Sequence, residues 1–96
     1  MPVLTPRQIE ERMPEVPGWA LVEGPAIERR LTFGSFREAV SFVVRLAFHA
    51  EEADHHPDIA ISYKHVTLRY WTHSEDGLTQ KDFDGARTVD RIAWVK

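Results

Sequence analysis

Three of the five histidines in this sequence lie close to carboxylates along the chain. His55 and His56 directly follow Asp54 and come shortly after Glu51, and His73 stands further on. An imidazole has an unperturbed pKa near 6.5, so it can give or take a proton at neutral pH. A neighbouring carboxylate fixes the imidazole tautomer and raises its basicity. The set therefore indicates proton transfer at two points on a small substrate.

A catalytic zinc site is the competing interpretation, because three imidazoles and a water form a common zinc ligand set. Adjacent residues of an extended chain point to opposite sides, which makes His55 and His56 an awkward pair for one ion. The sequence contains no cysteine, which excludes a thiolate metal site, a disulfide scaffold and a cysteine nucleophile. We therefore predict a site without a metal ion, although the residues alone do not exclude a zinc site.

Glu51 and Asp82 also have structural explanations. Glu51 falls between Val40 and Val44 on a helical wheel, inside an apolar sector where a charge is costly unless it is paired. It could equally reach water from a fraying helix end. Asp82 stands three residues after Thr79, so it is placed to complete a capping box at a helix start. The apolar stripe predicted to face the core comprises Phe36, Val40, Val43, Ala47 and Ala50. It is widened by Ala39, Leu46 and Ala53 on one side and by Val44 on the other.

Periodicity and turn residues predict three helices and four strands. Thr5 and Gln8 are placed to form a capping box at the first helix, and Val66, Leu68 and Tyr70 alternate with other residues along the last strand. The predicted elements, in chain order, are a helix at 5–13, strands at 19–23 and 26–33, a helix at 36–53, strands at 59–63 and 66–70, and a helix from Thr79 to about Val95. Strands in adjacent pairs with short turns imply antiparallel pairing. We predict an α+β fold in which a four-stranded antiparallel sheet carries three helices packed on one face.

Composition narrows the class of protein. The 96 residues are enough for a single domain, 1–96, with one core. The net charge is −3 with mixed signs, which argues against binding of nucleic acid through its phosphates. No apolar run is long enough to span a bilayer, and no secretory signal pattern is present, so we expect a cytoplasmic protein.

The ordered set of these residues resembles the signature of the pterin carbinolamine dehydratases. The central motif is Glu51-x-x-x-His55-His56-Pro57, and it is followed at the family's spacing by Tyr63, His73 and Asp82. The flanking residues agree as well, and the resemblance spans nearly the whole chain. It includes Phe33-x-x-Phe36, Ala39 and Phe42, Gly77-Leu78-Thr79, and, more loosely, Leu4-Thr5, Ile9 and Gly18-Trp19.

The resemblance implies a lyase that needs no cofactor. Family members dehydrate the 4a-hydroxytetrahydropterin left by an aromatic amino acid hydroxylase, and a reductase recycles the quinonoid dihydropterin product. By position, the catalytic histidines would be His55, His56 and His73. His55 and His73 would act as acid and base on the leaving hydroxyl and the ring nitrogen, while His56 would orient the pterin. The residues expected to bind substrate or support the imidazoles are Glu51, Asp54, Pro57 and Asp82.

The resemblance also implies partners. Family members form homodimers through their sheets, and some form homotetramers through helices. A functional link to an aromatic amino acid hydroxylase is expected. Two alternatives remain: a non-enzymatic role, because animal members bind a transcription factor dimer, and a metal-dependent hydrolase built on the histidines.

Overall fold

The computed structural model describes residues 3–93 of the chain. The first helix, α1 (Pro6–Arg12), begins with the predicted capping box. The hydroxyl oxygen of Thr5 accepts from the amide of Gln8 at 3.2 Å, and the Gln8 side chain accepts from the amide of Thr5 at 2.9 Å. This reciprocal pair satisfies two amides that have no partner inside the helix. A short 3₁₀ turn, Met13–Glu15, then ends this segment.

Four antiparallel strands form one sheet, in the spatial order β1-β2-β4-β3. Their bounds are β1 (Ala20–Val22), β2 (Ala26–Thr32), β3 (Asp58–Ser62) and β4 (His65–Tyr70). Both predicted hairpins are present, and the second turns tightly through Tyr63, whose φ is 54°. The α+β architecture predicted from the sequence is confirmed.

The central strand β4 shows which face of the sheet carries the core. Val66, Leu68 and Tyr70 are buried, while the residues between them are only partly so. Successive side chains of a strand point to opposite faces, so these three share the helix-facing side. Helices α2 (Phe36–Ala53) and α3 (Gln80–Ile92) pack against that side. Arg69 lies on the opposite face of β4, and Trp71 directly follows the last residue of the strand.

The predicted core stripe of α2 is wrong in part. Ala39, Leu46 and Ala50 are buried as expected, but Phe36 and Ala47 are exposed, and Phe42, which lay outside the predicted stripe, is fully buried. The helix carries a second group of apolar residues on its outer side, including Val44 and Phe48. Phe36 and Val44 share this outer side, and including them moved the predicted stripe away from the side that packs on the sheet.

Helix α3 begins at the predicted capping box and ends earlier than expected. Thr79 and Asp82 form the box, and Ala93 already has extended backbone angles after the last helical residue, Ile92. The predicted end near Val95 lies outside the described residues. Within residues 3–93, no helix is long and apolar enough to cross a membrane.

Candidate active site

The backbone conformation of Asp54 at the end of α2 sets the direction in which His55 and His56 leave the helix. Asp54 has φ 52° and ψ 42°, a conformation that Asp tolerates better than most residues because its short side chain is polar. The amide of His55 then reaches back to the carbonyl of Ala50 at 3.1 Å. This bond closes the helix end. Pro57 is buried directly after the pair, so the short segment is held at both ends.

His55 is paired with a buried carboxylate. Its Nε2 lies 2.6 Å from Oδ1 of Asp82, and Asp82 is fully buried while the His55 side chain is 12% exposed. The His55 ring also stacks on Tyr70, with centroids 5.7 Å apart and an interplanar angle of 20°. The pairing leaves Nδ1 of His55 as the nitrogen available to another group.

The second oxygen of Asp82 is occupied by the fold itself. Oδ2 accepts from the hydroxyl of Thr72 at 2.8 Å and from the amide of Thr79 at 2.9 Å. Because the Thr72 hydroxyl has only one proton, the Thr79 hydroxyl must donate to it across their 2.8 Å contact. The helix cap and the histidine pairing, which the sequence offers as alternative roles for Asp82, therefore coexist.

His56 is paired in a different environment. Its Nε2 contacts Oε2 of Glu51, and the two side chains are 53% and 76% exposed. Glu51 thus lies in solvent, beside the outward-facing part of α2, and is not buried in the core. Its contact with His56 reaches across the turn made by Asp54.

His73 is held by an aromatic ring. It is exposed, and its ring lies 3.9 Å from that of Trp71, centroid to centroid, at an interplanar angle of 26°. Strand alternation places Trp71 and His73 on the sheet face opposite Tyr70. The backbone between them is fixed, since the amide of Thr72 donates to Gly77 at 2.8 Å. His73 begins a 3₁₀ turn, His73–Glu75.

The three histidines meet at one cleft of about 360 Å³ at the end of the sheet. Its lining residues are Asp54, His55, His56, Trp71, Thr72, His73, Ser74 and Lys81. The remaining predicted site residues do not line this cleft: Glu51 contacts His56, Asp82 lies behind His55, and Pro57 is buried.

Four lining residues were missed by sequence reasoning. These are Trp71, Thr72, Ser74 and Lys81. For Trp71 a signal was available, because a residue two positions before His73 on an extended chain shares its side. For Lys81 there was no such signal, since only the packing of α3 brings it to the cleft.

Tyr70 forms the apolar floor beneath His55. Burial, and secondarily the charge of Asp82, raise the pKa of the Tyr70 hydroxyl to about 12. A Cβ on Gly85 would meet the Tyr70 ring at 2.6 Å, so only glycine lets α3 lie this close. Tyr70 is consequently a neutral packing group at physiological pH.

The other two histidines do not line the three-histidine cleft. His65 lies at the opposite end of β4, where its Nδ1 is hydrogen-bonded to the hydroxyl of Thr32 at 2.9 Å. His49 lies on α2 and is half-buried. Among residues 3–93, no three His, Cys, Asp or Glu side chains come together as a possible metal site.

Comparison with known proteins identifies relatives over nearly the whole chain. Residues 2–92 match the family model described as pterin 4 alpha carbinolamine dehydratase. A protein of Picosynechococcus sp. named "putative pterin-4-alpha-carbinolamine dehydratase" is 48% identical over 89 residues, which cover 93% of this chain and 96% of that protein. A protein of the same name from Mycobacterium avium is 46% identical, covering 96% of this chain and 97% of that protein.

Solved structures share the fold as well, among them the following two. The crystal structure of a transcriptional coactivator/pterin dehydratase from Brucella melitensis matches with a TM-score of 0.90 at 37% identity, covering 95% of this chain and 98% of that one. A pterin dehydratase-like protein identified as a RuBisCO assembly factor in the alpha-carboxysome matches with a TM-score of 0.69. It is 25% identical and covers 82% of this chain and 93% of its own.

Proposed function

Because this chain belongs to the pterin-4-alpha-carbinolamine dehydratase family, we propose that it is a lyase that dehydrates a 4a-hydroxytetrahydropterin. The products would be quinonoid dihydropterin and water, in support of tetrahydrobiopterin recycling. The observation that carries this proposal is the convergence of His55, His56 and His73 on a single cleft. The cleft volume of about 360 Å³ falls in the range of small-molecule sites.

The proposed reaction is an elimination that needs one acid and one base. The bond from C4a to the hydroxyl oxygen breaks, and the acid gives that oxygen a proton so that water leaves. The base removes the proton from N5, whose electrons form the new double bond to C4a. General acid–base help of this kind is worth about 10²–10⁴-fold in rate. No metal or organic cofactor is required by these steps.

We assign the base to His55 and the acid to His73. An ionised Asp82 accepts the Nε2 proton of a neutral His55, which leaves the Nδ1 lone pair free to take a proton. A protonated His73, which lines the same cleft, would then donate to the leaving hydroxyl. His56 and Asp54 would orient the pterin at the outer edge, with Glu51 supporting His56 and Pro57 fixing the turn that presents them.

The test is a dehydration assay with histidine variants. The carbinolamine is generated by an aromatic amino acid hydroxylase, and its decay is followed by ultraviolet absorbance in the presence of chelator. We expect the protein to accelerate decay, and His55→Ala and His73→Ala to lower turnover by about 10²–10⁴-fold with the fold intact.

The matched controls are His49→Ala and His65→Ala, which should change turnover little. Equal losses in all four variants would remove the site assignment. Decay at the spontaneous rate with the wild-type protein would remove the proposed activity. Acceleration that is present without chelator and lost with it would contradict the metal-free mechanism, and stoichiometric zinc in the purified protein would favour the metal-dependent hydrolase.

A second role, in protein association, is supported by a separate observation. The outer side of α2 exposes Phe36, Val44 and Phe48, the last at 74% exposure. Exposed apolar clusters of this kind mark association surfaces. We propose that this side of α2 contacts a further copy of the chain in a homotetramer, since the homodimer expected from the resemblance forms through the sheets. Sedimentation equilibrium of the purified protein tests this contact, because a species no larger than a dimer at all concentrations would contradict it.

A further inference from the structure

The three histidines of the cleft are oriented by three different means. His55 has the buried carboxylate of Asp82, and His56 has the exposed carboxylate of Glu51. In the described part of the chain, the ring nitrogens of His73 make no hydrogen bond to protein. The contact that defines its orientation is the stacked ring of Trp71.

Trp71, the stacking partner, is itself held by a hydrogen bond to β3. The indole N–H of Trp71 donates to Oδ2 of Asp58 at 3.3 Å. Asp58 is the first residue of β3 and stands two positions after His56. Register places Asp58 opposite Arg69, so Asp58 and Trp71 lie on the same face of the sheet. Trp71 thereby spans the gap between the His55–His56 segment and His73.

The backbone that joins the two stacked rings has little freedom. Thr72, between them, is buried, and its hydroxyl is bonded to both Asp82 and Thr79. Its amide and carbonyl both pair with Gly77. With the backbone fixed, the remaining freedom of His73 is rotation of its side chain, which is the motion that stacking on Trp71 restricts.

We propose that Trp71 is a positioning residue that holds His73 in its reactive orientation by ring stacking. The inference rests on the proposed dehydratase function for its catalytic consequence, but the stacking itself does not depend on that function. Offset and tilted stacking of aromatic rings contributes a modest, orientation-dependent free energy. Losing the stack should therefore disperse the orientations of His73 and lower turnover by about threefold to tenfold. It should leave substrate binding mostly unchanged.

The test compares two substitutions that both remove the indole N–H. Trp71→Phe keeps an aromatic ring, whereas Trp71→Leu does not, so their difference isolates stacking from the hydrogen bond to Asp58. We expect Trp71→Leu to lower kcat by about threefold to tenfold with little change in KM. Trp71→Phe should recover most of the loss. Urea unfolding of both variants shows whether the fold is retained.

A second readout does not require turnover. In the wild-type proton NMR spectrum, the ring current of Trp71 should move the imidazole CH signals of His73 upfield; these signals are identified by their loss in His73→Ala. Trp71→Leu should move them downfield, and Trp71→Phe should leave part of the upfield shift. The His65 signals should stay unchanged in every variant, because His65 lies at the far end of β4.

The outcomes separate the inference from the function it rests on. Equal kcat for Trp71→Leu and the wild type, or His73 signals that do not move, would overturn the positioning role. An equal loss in the Phe and Leu variants would also overturn it, because the hydrogen bond to Asp58 would then explain the effect. A wild-type protein without dehydratase activity would reject the proposed function, and the NMR comparison alone would then decide whether Trp71 orients His73.

Discussion

The cleft has a histidine–carboxylate pair at each of two ends. The pair at the inner end is buried, and the pair at the outer end is exposed to solvent. At the inner end, His55 meets Asp82, which has no exposed side-chain surface. At the outer end, His56 meets Glu51, and more than half of each side chain is exposed. Water and salt screen an exposed ion pair, whereas a buried pair is screened much less. The comparison indicates that His55 is held in one orientation and that His56 remains adjustable.

The two pairs also differ in how many other parts of the structure their carboxylates contact. Asp82 binds Thr72 and the start of α3 as well as His55, so the orientation of His55 depends on the packing of α3 on the sheet. Glu51 binds His56 across one turn of local chain. A change at the inner end should therefore affect stability and turnover together, whereas a change at the outer end should affect mainly substrate affinity.

The largest expected effect is that of Asp82→Ala. Removing the carboxylate leaves the Thr72 hydroxyl, the Thr79 amide and His55 without their acceptor. We expect the free energy of unfolding to fall by about 3–5 kcal/mol, measured by urea denaturation, and turnover to fall with it.

Asp82→Asn is the matched variant for separating the two roles of this carboxylate. An amide keeps one oxygen for the helix cap but presents an NH₂ group to His55, which would force the other imidazole tautomer. Turnover should drop while most of the stability remains. Unchanged turnover in Asp82→Asn would show that the carboxylate does not set the tautomer of His55.

A smaller effect is expected at high pH, from Tyr70 beneath the inner pair. Its hydroxyl pKa is about 12 in the folded protein and near 10 in an unfolded chain. The folded state therefore holds the proton more tightly, and this contribution is complete below pH 10 and is lost as pH rises to 12. We expect the unfolding free energy of the wild type to decrease by about 2–3 kcal/mol more than that of Tyr70→Phe over this interval. Parallel curves for the two proteins would show that burial does not perturb Tyr70.

The smallest effect is expected for Glu51→Gln at the outer end. The substitution removes an exposed pair, so the free energy of unfolding should change by less than about 1 kcal/mol. In the dehydration assay, KM should rise a few-fold with kcat nearly unchanged, because His56 is proposed to orient substrate. A loss of stability as large as that in Asp82→Ala would contradict the distinction between the two ends.

Local sequence patterns were sufficient for the order of the helices and strands, and they included four of the eight residues that line the cleft. Capping boxes at Thr5 and Thr79 located two helix starts, and alternation along 66–70 identified the buried side of β4. These signals are short-range, since a cap or an alternating strand is specified within a few residues. The helical wheel of α2 was less reliable, because an outer apolar group at Val44 and Phe48 competes with the core face.

Tertiary packing decided which partner each histidine has. The sequence placed acids beside His55 and His56, yet the partner of His55 is Asp82, which comes from the start of α3, 27 positions along the chain. No local rule gives that pairing, because it depends on where α3 lies against the end of the sheet. The sequence by itself determined that three histidines and several carboxylates were present at a family's spacing. Only the packed structure decided which imidazole is buried, which is exposed and which is stacked on Trp71, because burial and ring contacts arise between elements that are distant along the chain.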